Sequence, residues 1–419
     1  MRDELKNFNA FSPAIKNILR RYYGVWMMYS LAGGFLFGVY PIFLRSRGLS
    51  LFEINSVLAT YFLVLFLTDV PTGAFADALG RRRSFVLGTM LRVIAFTIYF
   101  FSHHYWQFLI AESIDGIGTT FGNGAIDAWG VDALDDNGFD GSKDGIFSRV
   151  SQITGVGFMI SSVVGAYIAN IDIAWPWMGG AVGYLISASV GVRMMTGEHR
   201  HQAHLDLLGL PRMIIRRTVE GFGVGFRNRA VLMLSMAGAL QFAAWAPYWM
   251  QWPILMNRSY GVGVWIIGWI YCVLTGARMI GAEITTRAAI DDSARAMRVS
   301  LLVAGASFTL AIAGALEGHA NMALAMLFLM NICTGAMTPL TQSWLNEQIE
   351  PQQRATMLSF SSTFGTLGGS IGLLASGRIA DTVGISTAWQ VGGCLSLISV
   401  AFYLALRSPT PAIVPQTAK

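Results

Sequence analysis

The sequence predicts an all-α integral membrane protein whose chain crosses the bilayer twelve times. Three observations carry that expectation. Hydrophobic residues fill 54% of the 419 positions and charged residues only 13%, whereas soluble domains carry about 25% charged residues. Apolar runs recur along the whole chain, each long enough to cross about 30 Å of hydrocarbon. Basic residues collect between these runs rather than inside them, as expected where a guanidinium in hydrocarbon is costly.

These features also exclude other classes. A porin-like barrel would show short alternating segments, and none dominates here. The net charge of +5 is explained by asymmetry across a membrane, so no nucleic-acid partner is expected. Cys272, Cys333 and Cys394 are far apart within apolar runs, which offers neither ligand spacing nor a disulfide framework. His199, His201 and His204 lie in a polar loop with only Asp206 nearby, so no metal site is expected. No cleavable signal is visible, because the first apolar run is too long for one. There is no nucleophile–base set and no phosphate-binding glycine loop on either surface, so the chain is not read as an enzyme.

The elements follow in order. Residues 1–21 mix Leu, Phe and Ile with Lys6, Lys16, Arg20 and Arg21, and 5–21 reads as an interfacial helix. Spans are expected near 22–44, 54–76, 84–102, 106–131, 146–169 and 174–195, forming a first set of six within residues 22–195. A basic linker, 196–229, contains an amphipathic stretch from Pro211 to Arg227. The second set, within 230–407, lies near 231–256, 261–286, 299–317, 321–346, 355–379 and 386–407, and 408–419 form a tail. Arg2, Lys6, Lys16, Arg20, Arg21, Arg81–Arg83, Lys143, Arg200, Arg212, Arg216, Arg217 and Arg227 all fall on one side of this arrangement. Arg45, Arg47, Arg258 and, at the end of its span, Arg378 fall on the other. The positive side is cytoplasmic, which places both termini inside a bacterial inner membrane that the chain crosses many times.

Ionisable groups within the spans are the sharpest functional signal, because each must be compensated. Asp69 precedes Asp77 by eight residues and Arg92 follows Arg83 by nine, so each sits about 12 Å or slightly more along adjacent antiparallel helices. An Asp69–Arg92 pair is therefore expected. Glu112 and Asp115, three apart, share a helix face. Two carboxylates that close repel when both are charged, so the pair is expected to hold a proton for coupling. Asp127 or Asp132 is expected to meet the arginine triplet. The stretch around Gln241, Trp245, Pro247, Tyr248 and Pro253 is expected to be a broken helix facing a cavity. Arg278 needs a partner on another helix, and Asn331 begins a polar stripe with Thr338, Gln342 and Asn346.

The stretch Asp69-Val-Pro71-Thr-Gly73-Ala-Phe-Ala76-Asp77-Ala-Leu-Gly80-Arg81-Arg82 resembles the loop between helices 2 and 3 of the major facilitator superfamily, in the branch written D/E-x-P-x-G-x-x-A-D-x-x-G-R-R. Gly124-Ala125-Ile126-Asp127-Ala128-Trp129 and Arg354-Ala355-Thr356-Met357-Leu358-Ser359 resemble helix 4 and the opening of helix 11 in the same branch. The resemblance implies two pseudo-symmetric six-helix bundles. It also implies a gate built on Gly73, Asp77, Gly80, Arg81 and Arg82, and a cavity lined by helices 1, 4, 7 and 10. That lining brings Tyr29 to the candidates Glu112, Asp115, Gln241, Trp245 and Asn331. The proline-containing helix 5 signature of the superfamily's drug/proton antiporters is absent.

The combined expectation is a secondary transporter working by proton-coupled alternating access. Its load would be a small organic solute, cationic or amphipathic, with export favoured over uptake. It would need no cofactor beyond the proton and no obligate protein partner, and it would act as a monomer in the lipid bilayer. The alternatives are uptake of a nutrient or anionic metabolite, and a non-transporting sensor or assembly factor.

Overall fold

The computed structural model describes residues 11–141, 143–196, 223, 225–287, 294–316, 318–349 and 354–406, and their regular structure is helical. In chain order the helices are α1 (Pro13–Gly34), α2 (Tyr40–Ser46), α3 (Leu51–Leu79), α4 (Arg81–Phe101), α5 (Tyr105–Asp136), α6 (Asp144–Ile171) and α7 (Trp175–Met194). After the linker come α8 (Arg229–Tyr260), α9 (Trp265–Arg287), α10 (Arg295–Ala315), α11 (Ala320–Glu347), α12 (Arg354–Thr382) and α13 (Ile385–Ala405). Eight of these are long and apolar enough to cross a membrane by length and composition. Of the other long helices, α5 carries Glu112, Asp115 and Asp127, and α12 is rich in Ser, Thr and Gly. The histidines of the linker and most of the Pro211–Arg227 stretch lie outside the described residues.

Three sequence expectations are corrected. The described part of the interfacial segment, from Pro13, is continuous with the first span in α1. That span then stops at Gly34 and resumes as α2, with a turn between. Gly38 sits in the turn at φ +84°, a conformation that favours glycine, and a Cβ there would meet Ile267 Cγ2 at 2.7 Å. The seventh span is not broken: α8 runs through both Pro247 and Pro253.

Packing divides the chain into two compact units. The first comprises Met1–Thr218, Ala246–Thr275 and Ser370–Ile385. In it α4 packs on α5 and α7, and α1 on α6 and α7. Small residues set these approaches. A Cβ on Gly88 would lie 2.6 Å from the Gly118 carbonyl, and one on Gly165 would lie 2.0 Å from that of Phe35. The start of α3 is fully capped. Ser50 accepts from the Glu53 amide, Glu53 reaches back to the Ser50 amide, and the Asp381 carboxylate accepts from the amides of Leu51 (2.8 Å) and Phe52 (2.9 Å). Those amides have no partner within their own helix and carry its positive end.

The second unit comprises Val219–Trp245, Gly276–Gly369 and Ser386–Lys419. Its core gathers Val231, Val299, Val303, Leu340, Phe360 and Tyr403. Here α9 and α11 cross through reciprocal glycines. A Cβ on Gly281 would lie 2.0 Å from the Ile332 carbonyl, and one on Gly335 would lie 2.0 Å from the Arg278 carbonyl.

Candidate functional site

The first unit encloses a charged cluster assembled from five helices. Arg92 rises from α4 and Asp115 from α5, and the two form a forked ion pair: Nε to Oδ1 at 2.8 Å and Nη2 to Oδ2 at 3.0 Å. The side chains are only 12% and 9% exposed, so their charges are largely withdrawn from water. Such a pair persists when its geometry is good and its remaining donors are bonded. Both conditions hold. Arg92 Nη1 donates to the Tyr29 hydroxyl at 3.0 Å. The guanidinium lies 4.4 Å from the ring centre of Tyr184, 5.5 Å from that of Tyr29 and 5.7 Å from that of Phe96, a favourable cation–π setting.

Glu112 lies almost one turn from Asp115 and is equally buried. Its carboxylate accepts a short hydrogen bond from Tyr99, whose hydroxyl lies 3.0 Å from that of Tyr40. The Tyr99 ring is held by stacking on Trp177 at a centroid distance of 3.8 Å. The cluster thus contains two buried carboxylates and one guanidinium. It is electrically neutral only with one proton on the carboxylate pair.

Asp69 does not take part. The expected Asp69–Arg92 pair is replaced by Arg92–Asp115, because α4 packs far more closely on α5 than on α3. Asp69, Gly73 and Asp77 recur every four residues along one face of α3, and all three are exposed. Nothing lies within 4 Å of where a Cβ on Gly73 would be.

At the arginine end, Gly80 alone joins α3 to α4, at φ +100°. Arg81 pairs with Asp77 at 2.5 Å and, more loosely, with Asp132 at 3.4 Å. Lys143 pairs with Asp135 at 2.6 Å. Asp132 therefore meets the triplet as expected, and Asp127 does not. Asp127 instead accepts from Tyr22 Oη at 2.6 Å and Trp26 Nε1 at 3.0 Å, which ties α5 to α1. Arg82 is exposed.

The second unit departs further from expectation. Gln241 is buried and donates to Ser399 (3.0 Å) and Tyr403 (3.1 Å), so it joins α8 to α13 rather than facing a cavity. Trp245 packs against the core of this unit, and its indole nitrogen is buried without a partner among the described residues. Tyr248, which belongs to the first unit, is buried too. Arg278 is exposed and has no ion-pair partner among the described residues. Asn331 is half-buried and returns a bond to the Leu327 carbonyl of its own helix.

Tyr22, Trp26, Tyr40, Tyr99, Trp177 and Tyr184 escape sequence reasoning. Each is an aromatic residue within an apolar run, and only packing shows which of them meets a charge. Among the described residues, no cluster of three or more His, Cys, Asp or Glu suits a metal ion.

Comparison with known proteins agrees with this architecture. An uncharacterized MFS-type transporter of Bacillus subtilis (strain 168), YxaM, is 20% identical over 393 residues, covering 91% of this chain and 94% of its own. Multidrug resistance protein 2 of the same organism is 23% identical over 173 residues, covering 40% and 42%. Among solved structures, the nucleoside transporter NupG superposes with a TM-score of 0.71 at 11% identity, covering 93% of this chain and 98% of its own. The human organic anion transporter MFSD10 superposes with a TM-score of 0.64 at 15% identity, covering 94% and 100%. The sequence profile of the Major Facilitator Superfamily matches residues 23–291 and 234–419, so this chain belongs to the Major Facilitator Superfamily of membrane transport proteins.

Proposed function

We propose that this multi-pass protein is a proton-coupled secondary transporter of small organic solutes, working by alternating access, with export as the favoured direction. The observation that carries the reading is the pairing of Glu112 and Asp115 around a single guanidinium, Arg92. Burial disfavours an uncompensated charge, so a proton that enters or leaves this cluster changes its bonding. With Asp115 ionised, Arg92 is forked onto α5 while also holding Tyr29 of α1. A proton that enters the carboxylate pair changes the charge balance around this fork, which also involves Tyr29 and the ring of Tyr184. The link between α1, α4 and α5 is thereby altered by one proton.

In this reading twelve helices span the membrane, both termini face the cytoplasm, and the protein acts as a monomer in a bacterial inner membrane. Asp77, Arg81 and Asp132 form the gate at the cytoplasmic end, with Gly80 as its corner. Asp69 and Gly73 provide an open helix face beside it. The acid excess that suggested a cationic solute is absorbed inside the cluster, since Asp115 is paired and Glu112 is sealed by Tyr99. The load is therefore read as amphipathic, with its charge decided elsewhere.

The test uses proteoliposomes of known orientation under an imposed pH gradient, presented with a panel of organic anions, cations and zwitterions. Uphill movement of at least one class is expected in the wild type. Glu112→Gln and Asp115→Asn should each abolish it while sparing solute counterflow. Full uphill transport by both variants would remove the proton role.

A further inference from the structure

The first unit contains a cavity of about 690 Å³, lined by Tyr23 and Met27 of α1 and by Ser148, Arg149, Gln152, Ile153 and Val156 of α6. This volume falls within the range of about 300–1,000 Å³ typical of sites for drug-sized molecules. The cavity is separate from the buried cluster and contains no carboxylate in its lining.

Arg149 is its distinguishing feature. The side chain is exposed, and its guanidinium makes one long contact, 3.3 Å, to the neutral amide oxygen of Gln152. It contrasts with Arg92, which is fully occupied by Asp115, Tyr29 and the ring of Tyr184. Among the described residues no carboxylate lies within ion-pair distance of Arg149. An arginine that lines a cavity without an opposite charge marks a place where a ligand can supply one. The guanidinium fork matches carboxylate, sulfonate and phosphate groups, and the hydroxyls of Ser148 and Tyr23 are further donors in the same lining. Met27, Ile153 and Val156 provide an apolar floor. The cavity is too large and too apolar for a small inorganic anion, and its positive charge opposes a cation.

We propose that this cavity is a solute-binding site for an amphipathic organic anion, with its acidic group on Arg149 and its apolar body against Met27, Ile153 and Val156. The inference rests on the transporter reading and names its substrate class. The geometry also offers a route to the coupling cluster. Tyr23 and Met27 line the cavity from α1, and the same helix carries Tyr22 and Trp26 on Asp127 and Tyr29 on Arg92. A ligand that pushes on α1 thereby acts on the Tyr29–Arg92 contact of the proposed coupling cluster.

The test is binding without any gradient, in nanodiscs of phosphatidylcholine, using naphthoate and naphthylmethylammonium as an anion and a cation of similar shape. Naphthoate should bind about 10-fold or more tightly than the cation, as expected for one charge-assisted contact. Arg149→Gln should erase that preference, and Arg149→Lys should keep most of it. Val156→Trp, which fills the apolar floor, should weaken naphthoate binding. Equal binding of the two probes, a preference for the cation, or a preference that survives Arg149→Gln overturns the proposal. If the preference is absent while pH-driven flux persists, the substrate class fails and the coupling reading stands. If the preference depends on Arg149 but no flux occurs, the site stands and the transporter reading fails.

Discussion

Arg92 shows how a single residue sets the character of the site. Its five donors are divided between a carboxylate, a hydroxyl and aromatic faces, so removing it strands Asp115 without a counter-charge. Breaking one partner of a buried pair costs about 3–5 kcal/mol. Arg92→Gln should therefore lower the thermal stability of the detergent-purified protein markedly. Adding Asp115→Asn to Arg92→Gln should recover most of that loss, because an amide pair leaves no uncompensated charge. A double variant no more stable than the single one would show that the pair does not act as a unit. Tyr99→Phe removes one bond to Glu112 and should cost about 1–3 kcal/mol, read in the same melting experiment.

At the scale of whole elements, close helix crossings depend on missing side chains. Gly281 and Gly335 face each other's helices at carbonyl distance, and such small-residue contacts let membrane helices approach. Gly335→Val should disrupt the crossing of α9 and α11 and yield little monodisperse protein on gel filtration. Gly276→Val, on α9 beside Gly281 in sequence but in open space, should be tolerated. Near the start of α3, Asp381 serves as a remote cap, accepting from two amides that Ser50 and Glu53 leave unsatisfied. Asp381→Ala should cost about 0.5–2 kcal/mol, the usual range for a lost cap.

For the molecule as a whole, the alternating-access cycle proposed above has α3 and α12 separating near Asn55 and Gly377. Asn55 and Gly377 lie close together there: Asn55 Nδ2 donates to the Leu373 carbonyl, and a Cβ on Gly377 would lie 3.1 Å from that of Asn55. That separation is near the Cβ–Cβ range of about 3.5–4.5 Å spanned by disulfides. In a protein whose three native cysteines are replaced, the double variant Asn55→Cys and Gly377→Cys should crosslink under mild oxidation. Flux should stop when the bond forms and return on reduction. Flux that continues through the crosslinked protein would exclude separation at this point. A topology reporter fused after Arg83 should respond only to cytoplasmic reagents, and a response from outside would overturn the proposed orientation.

The amino-acid sequence alone determined the membrane class, the helix positions and the corner at Gly80. Hydrocarbon admits only long apolar segments with satisfied backbones, and that rule is written in composition and run length. The ends of α3, α4, α6 and α9–α13 accordingly fall within a few residues of the apolar runs. The burial of Glu112 and Asp115, and the meeting of Arg81 with Asp132, were also legible, because charges inside a span must find shelter. What only the tertiary structure decided was the choice of partners. Arg92 reaches Asp115 instead of Asp69, Asp127 rests on Tyr22 and Trp26, Gln241 binds Ser399 and Tyr403, and α8 continues through its prolines. Each outcome depends on how far one helix is turned and how closely it approaches its neighbour. Glycine contacts between distant segments govern both, and no local pattern encodes them.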